Sequence, residues 1–229
     1  MSASPSWKPT KNFYKAVRIA GKGHENETRK GSNIPYLGHL LGVASMVIEA
    51  GGSKDQAMGA LLHDLLEDTP TKRPKLKLLV GKKVTEIVWG CTDTTFKRKQ
   101  QIKCEQKDWS KEQKDTFWWE ERKLPYIKKI TSKKVDDPAL LVSLADKTYN
   151  AENTVADLRL CSAEEQHTVW AKFNVGYDYQ RQWYRGLLEA FRKENEESKG
   201  FFKGITEIAS NFKHMPTLMW KLGVVQFFS

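Results

Sequence analysis

The chain has 229 residues, 39% of them apolar and 29% charged, which suits one domain with an extension and excludes an intrinsically disordered protein. Its three cysteines (Cys91, Cys104, Cys161) stand far apart, so neither a disulfide framework nor a paired-cysteine zinc site is expected, and a reducing cytoplasm is the simplest home. The formal net charge is +10; no run of about 18 apolar residues predicts a membrane span, and the polar N-terminus lacks a secretory core.

The periodicity is helical almost throughout. Pro35 opens a segment that runs through His39, Val43, Val47 and Ile48 and stops at Gly51-Gly52. Ser53 then reads as an N-cap, with Gln56 three residues on to complete a capping box. Ala57, Ala60, Leu61 and Leu65 follow at helical spacing until Thr69-Pro70. Gly81 ends a shorter helix, and another is predicted from Lys82 to Trp89. Residues 97–123 are rich in Lys, Gln, Glu and Trp and show no amphipathic period before about Trp118, so they are expected to form a surface insertion, partly helical or mobile. Residues 97–134 hold 13 basic and 6 acidic side chains, an excess able to attract a polyanion or simply to solvate a face. Asp137-Pro138 opens a helix with the sequence ALLVSLADKTYNAENT. A long amphipathic helix follows, with Phe173, Tyr177, Gln180, Tyr184, Leu187 and Phe191 along one core-facing stripe. The tail, 196–229, has apolar runs interrupted by Gly and Pro; packing on the domain, homo-oligomer contacts or a membrane surface would each use it.

Among the five histidines, His39 and His63 fall in predicted helices, and Asp64 follows His63 directly. Neighbouring residues on a helix project roughly 100° apart, and imidazole with carboxylate suits a transition metal. Within LLHDLLEDTP, His63 and Glu67 are four apart, as are Asp64 and Asp68, so all four are expected on neighbouring parts of one helix. The flanking Leu61, Leu62, Leu65 and Leu66 predict burial, and buried charge of this density calls for a compensating cation. Asp146, within SLADKTYN, is a mid-helix acid that on its own reads more readily as a satisfied core residue than as a ligand, with Asn150 one turn further on.

The runs AGKGHENETRKGSNIPYLGHLLGVASMVIEAGG, ALLHDLLEDTP, LVGKKVTEIVWGCTD and LVSLADKTYNAENT, in this order, resemble the HD hydrolase domain of the RelA/SpoT enzymes, and in scale the stand-alone small alarmone hydrolases. The resemblance covers about residues 13–192, with 97–123 unmatched, and implies an all-α helical bundle. It divides the chain into an HD domain over 1–195, carrying the basic insertion, and a C-terminal extension over 196–229. It implies a manganese ion held by His39, His63, Asp64 and Asp146, with Glu67 and Asp68 activating water. Arg29 and Lys30 match the basic loop that meets substrate phosphates, and Asn150 the residue on the ribose-phosphate side. The implied reaction removes the 3′-pyrophosphate from guanosine tetra- or pentaphosphate, leaving GDP or GTP.

The sequence departs from the family pattern at Leu40, where proline usually follows the first ligand, and at Asn153, where threonine is usual. No synthetase segment follows, so degradation without synthesis is expected. Two alternatives remain: the same metal site acting on another phosphorylated nucleotide, such as an adenosine alarmone or NADPH, or an inactive HD domain binding nucleic acid through the basic segment and Trp109, Trp118 and Trp119. An antitoxin partnership with a neighbouring synthetase is compatible with the first activity.

Overall fold

The computed structural model describes residues 7–134, 136–162 and 164–197, so the tail over 198–229 lies outside the described residues. The described residues are helical, with no strand beyond an isolated bridge between Thr28 and Pro35. They group into two compact units, Met1–Lys107 with Asp136–Asp146, and Asp108–Val135 with Lys147–Ser229.

In the first unit α1 (Lys11–Gly23), α2 (Leu37–Glu49), α3 (Lys54–Leu62), α4 (Leu65–Asp68), α5 (Arg73–Val80), α6 (Lys82–Cys91) and α7 (Phe96–Glu105) precede the start of α10 (Pro138–Leu160). The helix stops predicted from glycine are present: Gly51 and Gly81 hold φ of 78° and 87°, a region that disfavours any side chain. The Ser53 capping box is also present, its hydroxyl accepting from Gln56 N–H and the Gln56 side chain accepting from Ser53 N–H. Ser53→Ala should therefore cost about 1 kcal/mol, read as a lowered denaturant midpoint with an unchanged slope. An unaltered midpoint would show that the cap is dispensable here.

Helix α3 packs on α1, α2 and α6. Its approach to α6 is close because Gly59 presents no side chain; a Cβ there would meet Ile87 Cγ2 at 2.5 Å. Leu40, Val43, Val47, Ala57, Ala60, Leu61, Leu62, Leu65 and Val88 fill the core, joined by Leu140 and Val142 from the start of α10. Burying a leucine side chain in such a core contributes about 1.5–3 kcal/mol. Asp137 Oδ1 accepts from Ala139 N–H and so supports the start of α10.

One helix of the sequence reading is two. The predicted continuous helix through LLHDLLED ends at Leu62 and restarts at Leu65. The His63 ring turns back so that Nδ1 donates to the Ala60 carbonyl at 2.8 Å, the acceptor a continuing helix would offer to Asp64 N–H. Asp64, at φ −91° and ψ −5°, then lends its own carbonyl to both Glu67 and Asp68 N–H.

In the second unit α8 (Lys111–Phe117), a π-helical turn (Trp118–Lys123), α9 (Leu124–Thr131), the remainder of α10, α11 (Gln166–Ala171) and α12 (Tyr177–Glu197) pack together. Of the predicted stripe, Gln180, Tyr184 and Leu187 on α12 are buried, Tyr177 and Phe191 are half-buried, and Phe173 precedes the helix; Trp183, outside the predicted stripe, is also buried. Trp118 and Trp183 meet edge to face, and Lys123 Nζ lies 5.2 and 4.8 Å from their ring centres. Residues 97–123 contain helices in both units, as a partly helical segment would, and most of them are exposed or half-buried, while Trp118 is buried.

Candidate metal centre

The cluster assembles within the first unit. α2 brings His39, the break after α3 brings His63 and Asp64, and the opening turns of α10 bring Asp146. His39, His63 and Asp146 are all buried, and one donor atom from each lies within 4.8 Å of the others. Asp146 Oδ1 stands 3.3 Å from His39 Nε2 and 3.5 Å from His63 Nε2. Asp64 Oδ2 stands 3.6 Å and 2.9 Å from the same two nitrogens. The four residues separated in sequence are therefore in one place.

These residues fit a divalent metal ion. A carbonyl only accepts, so the bond from His63 Nδ1 to Ala60 places the ring proton on Nδ1 and leaves the Nε2 lone pair of the neutral ring facing the carboxylates. His63 Nε2 is buried and makes no hydrogen bond, even with Asp64 at 2.9 Å. An unpartnered ring nitrogen facing two carboxylate oxygens is a donor set for a cation, and mixed imidazole and carboxylate ligands suit first-row transition metals. The same carboxylates would otherwise hold a proton on that nitrogen in place of an ion. Burial alone pulls the His63 imidazolium down, yet Asp64 and Asp146 outweigh it and hold the group well above its ordinary value. Burial likewise works against the Asp64 carboxylate, and His63 and His39 hold it well below its ordinary value. The site draws positive charge inward from whatever source.

Sequence reading missed Tyr36. It immediately precedes α2, donates from its hydroxyl to Asp64 Oδ2 at 2.6 Å, and lies against the rings of His24 and His39, each with centroids 5.2 Å away. Burial, then the charge on Asp64, pushes its phenol well above the usual range, so it remains a donor. A tyrosine just before a helix carries no motif; only the path of the chain back to Asp64 gives it a role.

Beside the cluster stand the two further acids of α4. Glu67 is buried; its Oε1 accepts from Asp93 N–H, and its Oε2 lies 2.9 Å from Lys99 Nζ. Asp68 Oδ1 accepts from the same ammonium at 2.8 Å. Burial raises the Glu67 carboxyl, against the pull of Lys99. Burial lowers the Lys99 ammonium, but Glu67 and Asp68 prevail and raise it. Lys99 belongs to the segment expected to form a surface insertion, and it reaches both acids from there.

Arg29 and Lys30 lie on the loop between α1 and α2, closed by Tyr36 N–H to Glu27 O and Arg29 N–H to Ile34 O. Asn150 lies one turn beyond Asp146 along α10, among residues that group with the second unit. Asn153 donates to Tyr149 O at 2.7 Å. No helix among the described residues is long and apolar enough to cross a membrane.

Against known proteins, the family model described as the HD domain matches residues 16–175, a span that runs through the basic segment. The bifunctional (p)ppGpp synthase/hydrolase SpoT of Escherichia coli (strain K12) is 32% identical over 149 residues, 65% of this chain and 19% of SpoT, so the chain spans about a fifth of that relative's length. The guanosine-3′,5′-bis(diphosphate) 3′-pyrophosphohydrolase MESH1 of Xenopus tropicalis is 30% identical over 188 residues, covering 81% of this chain and 87% of that protein. Among solved structures, one titled as a metazoan ortholog of SpoT that hydrolyzes ppGpp superposes with a TM-score of 0.52 at 24% identity, covering 82% of this chain and 98% of that one. At that identity the likeness speaks to the fold.

Proposed function

Because the chain belongs to the HD-domain family, we propose that it is a metal-dependent phosphohydrolase that removes the 3′-pyrophosphate from guanosine tetra- and pentaphosphate, yielding GDP or GTP and pyrophosphate. The observation that carries this reading is the buried cluster of His39, His63 and Asp146, with half-buried Asp64 against both imidazoles and the Glu67 and Asp68 carboxylates beside it. In this reading those four residues hold one divalent ion, manganese first among the candidates. Such an ion, when bound, supplies positive charge at the phosphoryl group and lets water ionise near neutral pH. One of the Glu67 and Asp68 carboxylates takes a proton of the attacking water as its oxygen bonds to phosphorus, and the bond from phosphorus to the 3′ oxygen breaks, that oxygen leaving on GDP or GTP and taking up a proton from solvent. Arg29 and Lys30 meet the phosphates, and Asn150 the ribose-phosphate side. Action in a reducing cytoplasm accords with three free cysteines.

A panel of guanosine tetraphosphate, guanosine pentaphosphate, an adenosine alarmone and NADPH, each with manganese, zinc or magnesium, tests the reading. Pyrophosphate release with GDP is expected from the tetraphosphate in manganese. Faster release of phosphate from NADPH, or turnover of the adenosine compound alone, would replace the substrate. The nucleic-acid reading loses support from Trp118, which is buried against Trp183, and from Trp109 and Trp119, which rest on Phe117 and Tyr179.

The bond from Tyr36 to Asp64 gives a further prediction. Partners of this kind orient a ligand, and their loss weakens metal affinity about 10–100-fold. Tyr36→Phe keeps the ring contacts and removes only the hydroxyl, so manganese measured by equilibrium dialysis should bind that much more weakly. Undiminished affinity would mean that Asp64 does not depend on Tyr36.

A further inference from the structure

We propose that Lys99 is a positioning residue for the acidic pair: its ammonium, reaching in from α7, holds the Glu67 and Asp68 carboxylates at one spacing and orientation. This rests on the hydrolase reading above and adds to it a residue from the segment that the motifs leave out.

The geometry is specific. Lys99 Nζ lies 2.9 Å from Glu67 Oε2 and 2.8 Å from Asp68 Oδ1, so a single cation bridges both acids. The other Glu67 oxygen is held by the Asp93 backbone N–H. Both oxygens of this buried carboxylate are thereby tethered, one by the loop after α6 and one by α7. Adjacent carboxylates repel, and without a bridging cation Glu67 and Asp68 would separate or share a proton. The lysine is itself partly sheltered, its side chain 23% exposed, so water screens the contact less than it would a surface pair. Helix α7 fully buries none of its residues, its Phe96 and Ile102 being only half-buried, so the Lys99 contacts add to what holds it on α4. A proton acceptor must be held within a fraction of an ångström of its place, and a displacement of about 1 Å can cost 10²-fold in rate.

Four measurements test this. In Lys99→Met the stem is kept and the charge removed; kcat for pyrophosphate release should fall roughly 10²-fold with KM and bound metal little changed. Lys99→Arg, which can also bridge two carboxylates, should restore most of the loss. In a Glu67→Gln/Asp68→Asn background, Lys99→Met should cause no further loss, because it acts through the pair. Independent of turnover, brief labelling with an amine-reactive anhydride should modify Lys99 more slowly than the exposed Lys97, and this protection should disappear in the Glu67→Gln/Asp68→Asn variant. A KM increase with kcat intact, or a further full loss in the double-variant background, would assign Lys99 to the substrate instead. Labelling of Lys99 as fast as Lys97 in the wild type would remove the contact and the proposal with it. If the wild type releases no pyrophosphate from guanosine tetraphosphate, the substrate reading falls, and the labelling still decides the contact.

Discussion

His63→Ala should empty the metal centre, taking bound divalent ion from about one per chain to essentially none after dialysis, and metal-dependent turnover should vanish with it. The expected size of the effect follows from how the ring is held. Its Nδ1 proton is committed to Ala60 O, so Nε2 is its contribution to the cluster, placed between Asp64 and Asp146. Removing it leaves two buried carboxylates facing one remaining imidazole, a set that is both short of a donor and electrostatically unbalanced. Asp64→Ala should do the same, because Asp64 Oδ2 approaches both imidazoles. Elemental analysis of dialysed protein, alongside circular dichroism to confirm the helices, makes the measurement. Full metal content in both variants would overturn the ligand assignment.

The second large effect is chemical and leaves the metal in place. Glu67→Gln/Asp68→Asn keeps the shape of both side chains but removes the capacity to accept a proton. The loss of a general base typically costs 10²–10⁴-fold, and a fall in kcat of about that size is expected with metal content unchanged. One contact survives, since the amide that replaces the Glu67 carboxylate still offers a carbonyl oxygen to Asp93 N–H, but Lys99 loses both of its carboxylate partners, so circular dichroism on the variant accompanies the rate measurement. Near-normal turnover in this variant would move the proton-transfer role elsewhere.

Much of the arrangement was legible in the sequence where local chemistry decides it. Ser53 with Gln56, Gly51, Gly81 and Asp137 with Pro138 mark helix ends by side-chain hydrogen bonds or backbone conformation, and the structure has those ends close to their expected places. The metal cluster was legible because His63 and Asp64 are adjacent and lie among buried leucines. What was not legible depends on contacts between distant segments. The break at His63 arises from a ring turning back on Ala60, which helical periodicity does not encode. The segment over 97–123 looked featureless for two physical reasons. Helix α7 fully buries none of its residues and so has little apolar stripe to read, and the π-helical turn at Trp118–Lys123 shifts the register on which a 3.6-residue period depends. Lys99 was visible only as one charge among many until the fold set it against Glu67 and Asp68.

The donors of the centre come from α2, the α3–α4 break and α10, which are remote from one another along the chain and meet only in the native state. An ion bound there therefore favours the native chain over the denatured one, by about 4 kcal/mol when free metal exceeds its dissociation constant a thousandfold. For a domain whose whole stability is of the order of 5–15 kcal/mol, that is a large share. The supply of metal then governs how long each molecule escapes proteolysis as well as how fast it works. Starving a cell of that metal would lower the abundance of this protein.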